Sequence, residues 1–267
     1  MPAAFWKGAI NIGLVVIPVR MYVATRNITP HFHMLHKKDQ ARIKQVLYCP
    51  KHDEYIDRKD VVRGYEYSKG KFVVFAEKDF DRVPVETRHR IDVKAFVSQG
   101  QIDPSYYYDM HYLQPEELGL RAYVLLRDVL RETGRVAIGK VTFQTREHLC
   151  SVRPLNDTLV LDSLHYSAEI DPPEGIDIPT QKFDEGELEM ARTLVDRMTR
   201  DFDPDHYEDK YRIALEAVIQ AKLKGEKLPP VKQEEPVVSP SLVQALKESV
   251  ERADAKHKEK AKAGTKE

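Results

Sequence analysis

The hydrophobic positions at the start of the chain follow the pattern of bent β-strands. Apolar residues run almost without a break from Phe5 to Ala24, many of them are β-branched, and Gly8 and Gly13 interrupt the run. Runs of this kind, divided by glycine and proline, are typical of strands that bend in a barrel or a strongly twisted sheet. Five further strands are predicted downstream, over residues 91–97, 106–113, 136–145, 149–154 and 158–166.

Residues 61–75 have the alternation and the turn of a β-hairpin. The predicted arms are residues 61–67 and 72–75, and Lys69 and Gly70 between them supply a turn that can take a positive φ. The tip of this hairpin is therefore basic. We expect its aromatic residues to pack in a core and not to stack on bases: Tyr65, Tyr67 and Phe72.

Helical periodicity dominates the second half of the chain. One helix is predicted from a first turn at Pro115 to a C′ residue at Gly134, and two amphipathic helices follow over residues 185–200 and 205–224. The composition then shifts to paired prolines and charges, which indicates an extended linker. We therefore divide the chain into a folded core over residues 1–225, a linker over 226–240, and a short amphipathic helix with a mildly basic tail over 241–267. The order of elements predicts a β-rich α+β protein.

The charges are distributed unevenly along the chain, although the formal net charge is only -1. Residues 1–100 hold 18 lysines and arginines against 11 acids, whereas residues 101–221 hold 13 against 24. A basic first third is the footprint of a surface that meets a polyanion. Ordinary scatter of surface charge is the alternative explanation.

Length and composition indicate a globular cytoplasmic protein. A chain of 267 residues with 42% hydrophobic residues can bury a sizeable core. No apolar stretch approaches the roughly 20 residues of a membrane span. The two cysteines, Cys49 and Cys150, exclude a disulfide framework and suit a reducing compartment.

The sequence offers little that favours metal binding or catalysis. His31, His33 and His36 lie close together, and Cys49 with His52 is half of a zinc knuckle, but neither set has partners at the spacing of a structural zinc site. No nucleophile elbow, phosphate-binding loop or dinucleotide fingerprint is present. We therefore predict no catalytic residues, no metal and no cofactor.

The basic residues form a more coherent set, since many lie at turns or strand ends where a long side chain can reach a phosphate. Such contacts would hold the backbone of a nucleic acid and read little of its sequence. The first candidates for these contacts are Lys37, Lys38, Arg42, Lys44, Lys69 and Lys71, and the second are Arg20, Arg26, Lys140 and Arg146.

Several blocks, in one order over about residues 3–225, resemble the bacterial Ku proteins. They include FWKGAINIGLVVIPVRMYVAT, FHMLHKKDQARI, VVRGYEYSKGKFVVF, IDPSYYYDMHYLQP, GKVTFQTREHLCSVRP, ELEMARTLVDRMT and FDPDHYEDKYRIAL. The resemblance implies a DNA-end-binding protein of non-homologous end joining that has no catalytic activity. It implies a homodimer in which the β-barrels and bridging arms close a ring around duplex DNA, in the bacterial nucleoid.

The tail segment KLPPVKQEEPVVSPSLVQALKESVERA also resembles, more loosely, the family segment that engages a multifunctional ATP-dependent DNA ligase. Within it, Leu242, Leu246 and Val250 share one face of the predicted helix and are the candidates for this contact.

Two other functions stay open. A metal-dependent DNA-processing enzyme would use the histidine cluster or the acidic helices, and it would cleave DNA in the presence of metal ions. A protein-interaction scaffold would use the linker and the tail helix, and it would have no affinity for DNA.

Overall fold

The computed structural model describes residues 3–80, 82–83, 87, 89–143, 146–228 and 242–263, with the side chains of the last helix to residue 252. The chain divides into two compact units. One comprises Met1–Ile28 and Phe32–Glu174, and the other comprises Thr29–His31 and Gly175–Glu267. The boundary near residue 174 lies inside the stretch 1–225 that the sequence predicts as one core.

The first unit is built on a closed barrel of seven strands. The strands of the chain are β1 Trp6–Ile12, β2 Val15–Val23, β3 Leu47–Cys49, β4 Glu54–Ile56, β5 Arg63–Ser68, β6 Lys71–Phe75, β7 Arg90–Ser98, β8 Tyr107–Pro115, β9 Arg135–Phe143, β10 Arg146–Leu155 and β11 Thr158–Leu164. Around the barrel the order is β1-β2-β8-β11-β10-β9-β7. The neighbours pair antiparallel except β1 and β7, which pair in parallel and close the barrel. The predicted β-rich class and all the predicted barrel strands are confirmed.

The barrel interior follows the two-residue period of its strands. Ile10, Ile17, Leu113 and Leu161 lie on inward positions and are at most 1% exposed. A glycine at residue 139 lets β7 and β9 approach each other, because a Cβ atom there would lie 2.6 Å from the carbonyl oxygen of Asp92. Close backbone approach of this kind is one reason for glycine inside a strand.

The helices of the chain are α1 Glu77–Phe80, α2 Leu120–Thr133, α3 Glu185–Met198, α4 Lys210–Lys224 and α5 Leu242–Ala263. Helix α2 packs Tyr123 and Leu130 into the barrel core, and the hydroxyl of Tyr123 donates to the carbonyl of Leu113. The helix ends at Gly134, whose φ of 62° confirms the predicted C′ residue. Its start was predicted wrongly, since Pro115 is the last residue of a strand and the helix begins five residues later.

A long insertion leaves the barrel after β2 and returns to it at β7. We call residues 24–89 the arm segment. It holds two separate hairpins, β3–β4 and β5–β6, and neither hairpin pairs with the barrel sheet. The β5–β6 hairpin with a turn at Lys69 and Gly70 confirms the prediction, whereas the three-residue strands β3 and β4 were not predicted.

In the second unit, α3 packs against α5. Helix α3 begins at a capping box formed by Asp184 and Glu187, and α4 begins at Lys210, where Asp209 accepts the N–H of Arg212. Helix α5 continues to Ala263, so it is longer than predicted and includes much of the lysine-rich end. Most of the predicted linker, residues 229–240, lies outside the described residues. None of the described helices combines the length and apolar character of a membrane-spanning segment.

Candidate nucleic-acid interface

A tight loop in the arm segment holds the first pair of candidate lysines. The N–H of His36 donates to the carbonyl of Ala41 (2.8 Å), and the carboxylate of Asp39 accepts the N–H of Ala41 (3.1 Å). The same carboxylate lies 2.8 Å from Nδ1 of His36, and these contacts, that of Ala41 first, lower the pKa of Asp39. Lys37 and Lys38 occupy the turn closed by these bonds and are exposed.

The β5–β6 hairpin holds the second pair of lysines at its tip. Gly70 takes a φ of 73°, and its N–H donates to the carboxylate of Glu66 at 2.7 Å. A positive φ of this size favours glycine, so the turn depends on this residue. Lys69 and Lys71 flank Gly70 and are exposed. Both pairs of lysines therefore project from turns, where long side chains are free to extend.

The candidate cations differ in their partners. Arg42 places its guanidinium 3.1 Å from Nδ1 of His33. Within the described residues, no ion pair forms with the exposed side chains of Arg26, Lys37, Lys38, Lys44, Lys69 and Lys71.

Three of the second candidates are ion-paired on the barrel. Glu116 accepts from Arg20 at 3.0 Å and also from Lys7 at 2.9 Å. Lys140 donates to Glu147 at 2.8 Å, and Arg146 donates to Glu169. Each of these cations has at least 41% of its side chain exposed. A phosphate at these positions would compete with a carboxylate, whereas Lys37, Lys38, Lys69 and Lys71 have no ion-pair partner among the described residues.

The arm segment also exposes many large apolar side chains. On the β5–β6 hairpin, Tyr65 is 65% exposed, Phe72 58% and Val74 60%, and they come from both faces of the two-stranded sheet. The expectation that Tyr65, Tyr67 and Phe72 pack in a core of this chain is therefore wrong. Soluble monomeric proteins rarely expose apolar residues on both faces of a two-stranded sheet, and large exposed apolar patches are typical of interaction surfaces.

A hollow of about 370 Å³ opens at one end of the barrel, and we call it the mouth hollow. His111 is 5% exposed, and its ring centroid lies 5.1 Å from that of Phe5 and 5.5 Å from that of Phe143. The ring of His148 lies 5.3 Å from that of Phe143. Sequence reasoning did not predict this hollow. A partial signal was His111, a histidine at an inward position of the predicted strand 106–113, whereas His148 lies just before the predicted strand 149–154.

Among the described residues, the candidate metal ligands do not form a complete metal site. The Sγ of Cys49 lies 3.4 Å from Nδ1 of His52, so the half-knuckle exists at the turn between β3 and β4. In the described part of the chain, no group of three or more His, Cys, Asp or Glu could hold a metal ion. Cys150 lies fully buried in the barrel, and burial raises the pKa of its thiol.

The three candidate residues of the tail helix, α5, differ in how far they are exposed. Leu246 and Val250 are half-buried on α5, the helix that packs against α3. A small groove between the two helices is lined by Met190 and Thr193 of α3 and by Val250. Leu242, in contrast, is 55% exposed. The three residues therefore do not form one free face.

Comparison with known proteins places these features in a family. The family model of the Ku70/Ku80 beta-barrel domain matches residues 11–190. The protein named non-homologous end joining protein Ku from Solibacter usitatus is 40% identical over 98% of this chain and 98% of its own. Those of the same name from Archaeoglobus fulgidus and Bacillus subtilis are each 34% identical, over 93% and 95% of this chain and 98% and 83% of their own. These matches include the barrel and the arm segment.

Proposed function

Since the chain belongs to the family of the Ku70/Ku80 β-barrel domain, we propose that it binds the ends of double-stranded DNA in double-strand break repair by non-homologous end joining. Two copies form a ring, and the arm segments hold the duplex inside it through its phosphates. The protein has no catalytic activity of its own and acts on DNA in the nucleoid.

The observation that carries this proposal is the position of four lysines on the arm segment. Lys37, Lys38, Lys69 and Lys71 are exposed at two turns and lack a carboxylate partner among the described residues. Unpaired ammonium groups on turns suit phosphates, which carry no sequence information. A protein that must accept any broken end needs contacts of this kind, because base-specific contacts would leave most ends unbound.

Dimerisation is supported by the exposed apolar surface of the arm segment. A second copy would cover both faces of the β5–β6 hairpin and remove from water the side chains that a single chain leaves exposed. A symmetric pair of arms would then enclose a space between them, and a duplex could enter that space at its end.

The test of DNA binding removes the four lysines together. We expect the variant with alanine at Lys37, Lys38, Lys69 and Lys71 to bind linear duplex less tightly, with a salt dependence flatter by up to about one unit of slope for each lysine that contacts a phosphate. Fluorescence anisotropy over a series of salt concentrations measures both. A matched variant with alanine at four lysines of the second unit should bind like the parent: Lys182, Lys210, Lys222 and Lys224. Parental binding by the first variant would contradict the assignment of these lysines.

The proposed absence of catalysis is tested with labelled duplex. Incubation of the protein with this duplex and Mg²⁺, Mn²⁺ or Zn²⁺ should leave the DNA intact. Cleavage that increases with protein concentration would favour the alternative of a metal-dependent DNA-processing enzyme.

We further propose that the tail helix recruits an ATP-dependent DNA ligase, and that Leu242 makes the first contact because it is exposed. Leu246 and Val250 are half-buried and would be less accessible to the ligase than Leu242. Leu242→Ser should therefore weaken the stimulation of ligation while leaving the thermal stability of the protein unchanged. Unchanged stimulation by a variant with serine at all three positions would remove this proposal. Gln244→Ser, an exposed polar change on the same helix, serves as the control.

A further inference from the structure

The mouth hollow lies at the end of the barrel from which the arm segment departs. The chain leaves the barrel after Val23 and returns at Arg90, and Val23 pairs with His111 on the neighbouring strand. His111 is also one of the residues that line the hollow. The arm segment that is proposed to hold the duplex is therefore joined to this end of the barrel.

Aromatic rings form the wall of the hollow. Phe5, His111 and Phe143 are in mutual contact, with centroids 5.1, 5.5 and 5.8 Å apart. Phe5 is 47% exposed, so its ring is accessible at the rim. At about 370 Å³, the hollow is within the size range of sites for small flat molecules.

The polar groups of the hollow suit a neutral ligand better than an anion. Burial lowers the pKa of His111 and of His148, so both rings are neutral near pH 7. The guanidinium of Arg146 is paired with Glu169, and Asp109 adds a carboxylate that repels phosphate. A phosphate would therefore meet little net positive charge in the hollow.

Hydrogen-bonding groups remain for the edge of a flat ligand. Tyr108 bonds Nδ1 of His148 at 2.8 Å, and within the described residues this leaves Nε2 for a ligand. The carboxylate of Asp109, 42% exposed, offers an acceptor. A nucleobase is a flat neutral group with hydrogen-bond donors and acceptors along its edge, so it matches the lining of the hollow.

We propose that the mouth hollow takes a single unpaired nucleobase from a frayed or overhanging DNA end. This inference rests on the proposed binding of DNA ends. A base at a terminus leaves its stack at the least cost, and stacking on aromatic side chains accepts any base because every base has a π-face. The hollow would thus hold an end in place without selecting its sequence.

The test compares a blunt duplex with one that carries a single overhanging 2-aminopurine. With the full-length protein we expect the emission of 2-aminopurine to fall severalfold on binding, and the overhang to raise the affinity about tenfold over the blunt duplex. Phe5→Leu and His148→Leu should each abolish most of both effects and keep the affinity for the blunt duplex. The matched control is Tyr112→Leu, which removes an aromatic ring from the same strand as His111 but outside the hollow.

The outcomes separate this inference from the proposed function. Emission that stays quenched in both Phe5→Leu and His148→Leu would overturn the hollow as the site, as would equal affinity of the parent for the two duplexes. Failure of the parent to bind either duplex would instead contradict the proposed binding of DNA ends. Phe5→Leu is included beside His148→Leu because Phe5 lies exposed at the rim, where a substitution disturbs the fold least.

Discussion

Arg153 and Asp162 form a buried ion pair on neighbouring strands of the barrel. The Nε of Arg153 lies 2.7 Å from one carboxylate oxygen of Asp162 and its NH2 group 3.1 Å from the other. Only 5% of the Asp162 side chain is exposed. A carboxylate left in this position without its cation would be charged and desolvated, which is strongly unfavourable.

Arg153→Met should therefore destabilise the protein by about 3 kcal/mol, because it keeps the volume of the side chain and removes its charge. Urea unfolding followed by circular dichroism measures the loss. The control is Arg192→Met. Arg192 pairs with Glu189 on the surface, where their side chains are 66% and 71% exposed, so the free energy of unfolding should change by less than about 0.5 kcal/mol. Equal effects of the two substitutions would contradict the importance of the buried pair.

His111 gives the stability of the barrel a dependence on pH. Burial lowers the pKa of this imidazole from its ordinary value of 6.5, against the opposing effect of Asp109 and Asp162. The unfolded chain then binds a proton at a pH where the native protein does not, so the free energy of unfolding decreases as the pH falls below about 6.5. His148 contributes with the same sign, since burial and the charge of Arg146 lower its pKa.

The His111→Phe variant should lose less stability than the parent between about pH 7.5 and about pH 5, because it removes one of the two imidazoles whose pKa is lowered by burial. Urea unfolding at a series of pH values measures the difference. His31→Phe, a change at an exposed histidine, should follow the parent. Parallel curves for the parent and His111→Phe would mean that this ring does not titrate differently in the native and unfolded states.

At the scale of elements, the sequence predicted those whose signal is local. The barrel strands alternate with a two-residue period, and the turns at Gly70 and Gly134 follow from the conformational freedom of glycine. Strands β3 and β4 have three residues each, which is too short for a period to be recognised. The start of α2 was misplaced because Pro115 ends a strand and also suits the first turn of a helix.

The candidate site could be predicted only in part. Lys37, Lys38, Lys69 and Lys71 could be proposed as DNA contacts because basic turns are visible in one chain, and this assignment stays a prediction. The ion pairs of Arg20, Lys140 and Arg146 were not, since their partners lie 96, 7 and 23 residues away. The exposure of Phe72 could not be predicted either, because an interface and a core have the same apolar pattern.

The β5–β6 hairpin tests whether two copies assemble through the arm segment. Val74→Asp places a carboxylate on a side chain that is 60% exposed in the single chain and buried in the proposed dimer. Because burial of an unpaired charge is costly, self-association should weaken by a factor of a hundred or more. Analytical ultracentrifugation measures this change.

The matched control is Leu125→Asp, which changes an apolar residue of α2 that is 65% exposed and lies outside the arm segment. It should leave the oligomeric state unchanged. A parental dimer in the Val74→Asp variant would show that the hairpin is not the interface.

At the scale of the whole molecule, the formal net charge of -1 does not attract DNA. In the proposed function, the surplus of positive charge in the first 100 residues would supply the attraction, and the acidic stretch that follows would limit adhesion elsewhere. Phosphate contacts alone would hold DNA of any shape. A closed ring would add a second kind of retention, which depends on the presence of an end.

These two kinds of retention respond differently to salt, and that difference tests the ring. The protein should bind a linear duplex and not a covalently closed circle of the same sequence, because a ring can thread only over an end. If the linear duplex is ligated into a circle after binding, the protein should remain on it through a salt wash that weakens phosphate contacts a thousandfold or more. A linear duplex treated with the same wash should lose its protein. Equal loading on preformed circles, or equal release from linear and ligated DNA, would mean that phosphate contacts on an open surface account for all of the binding.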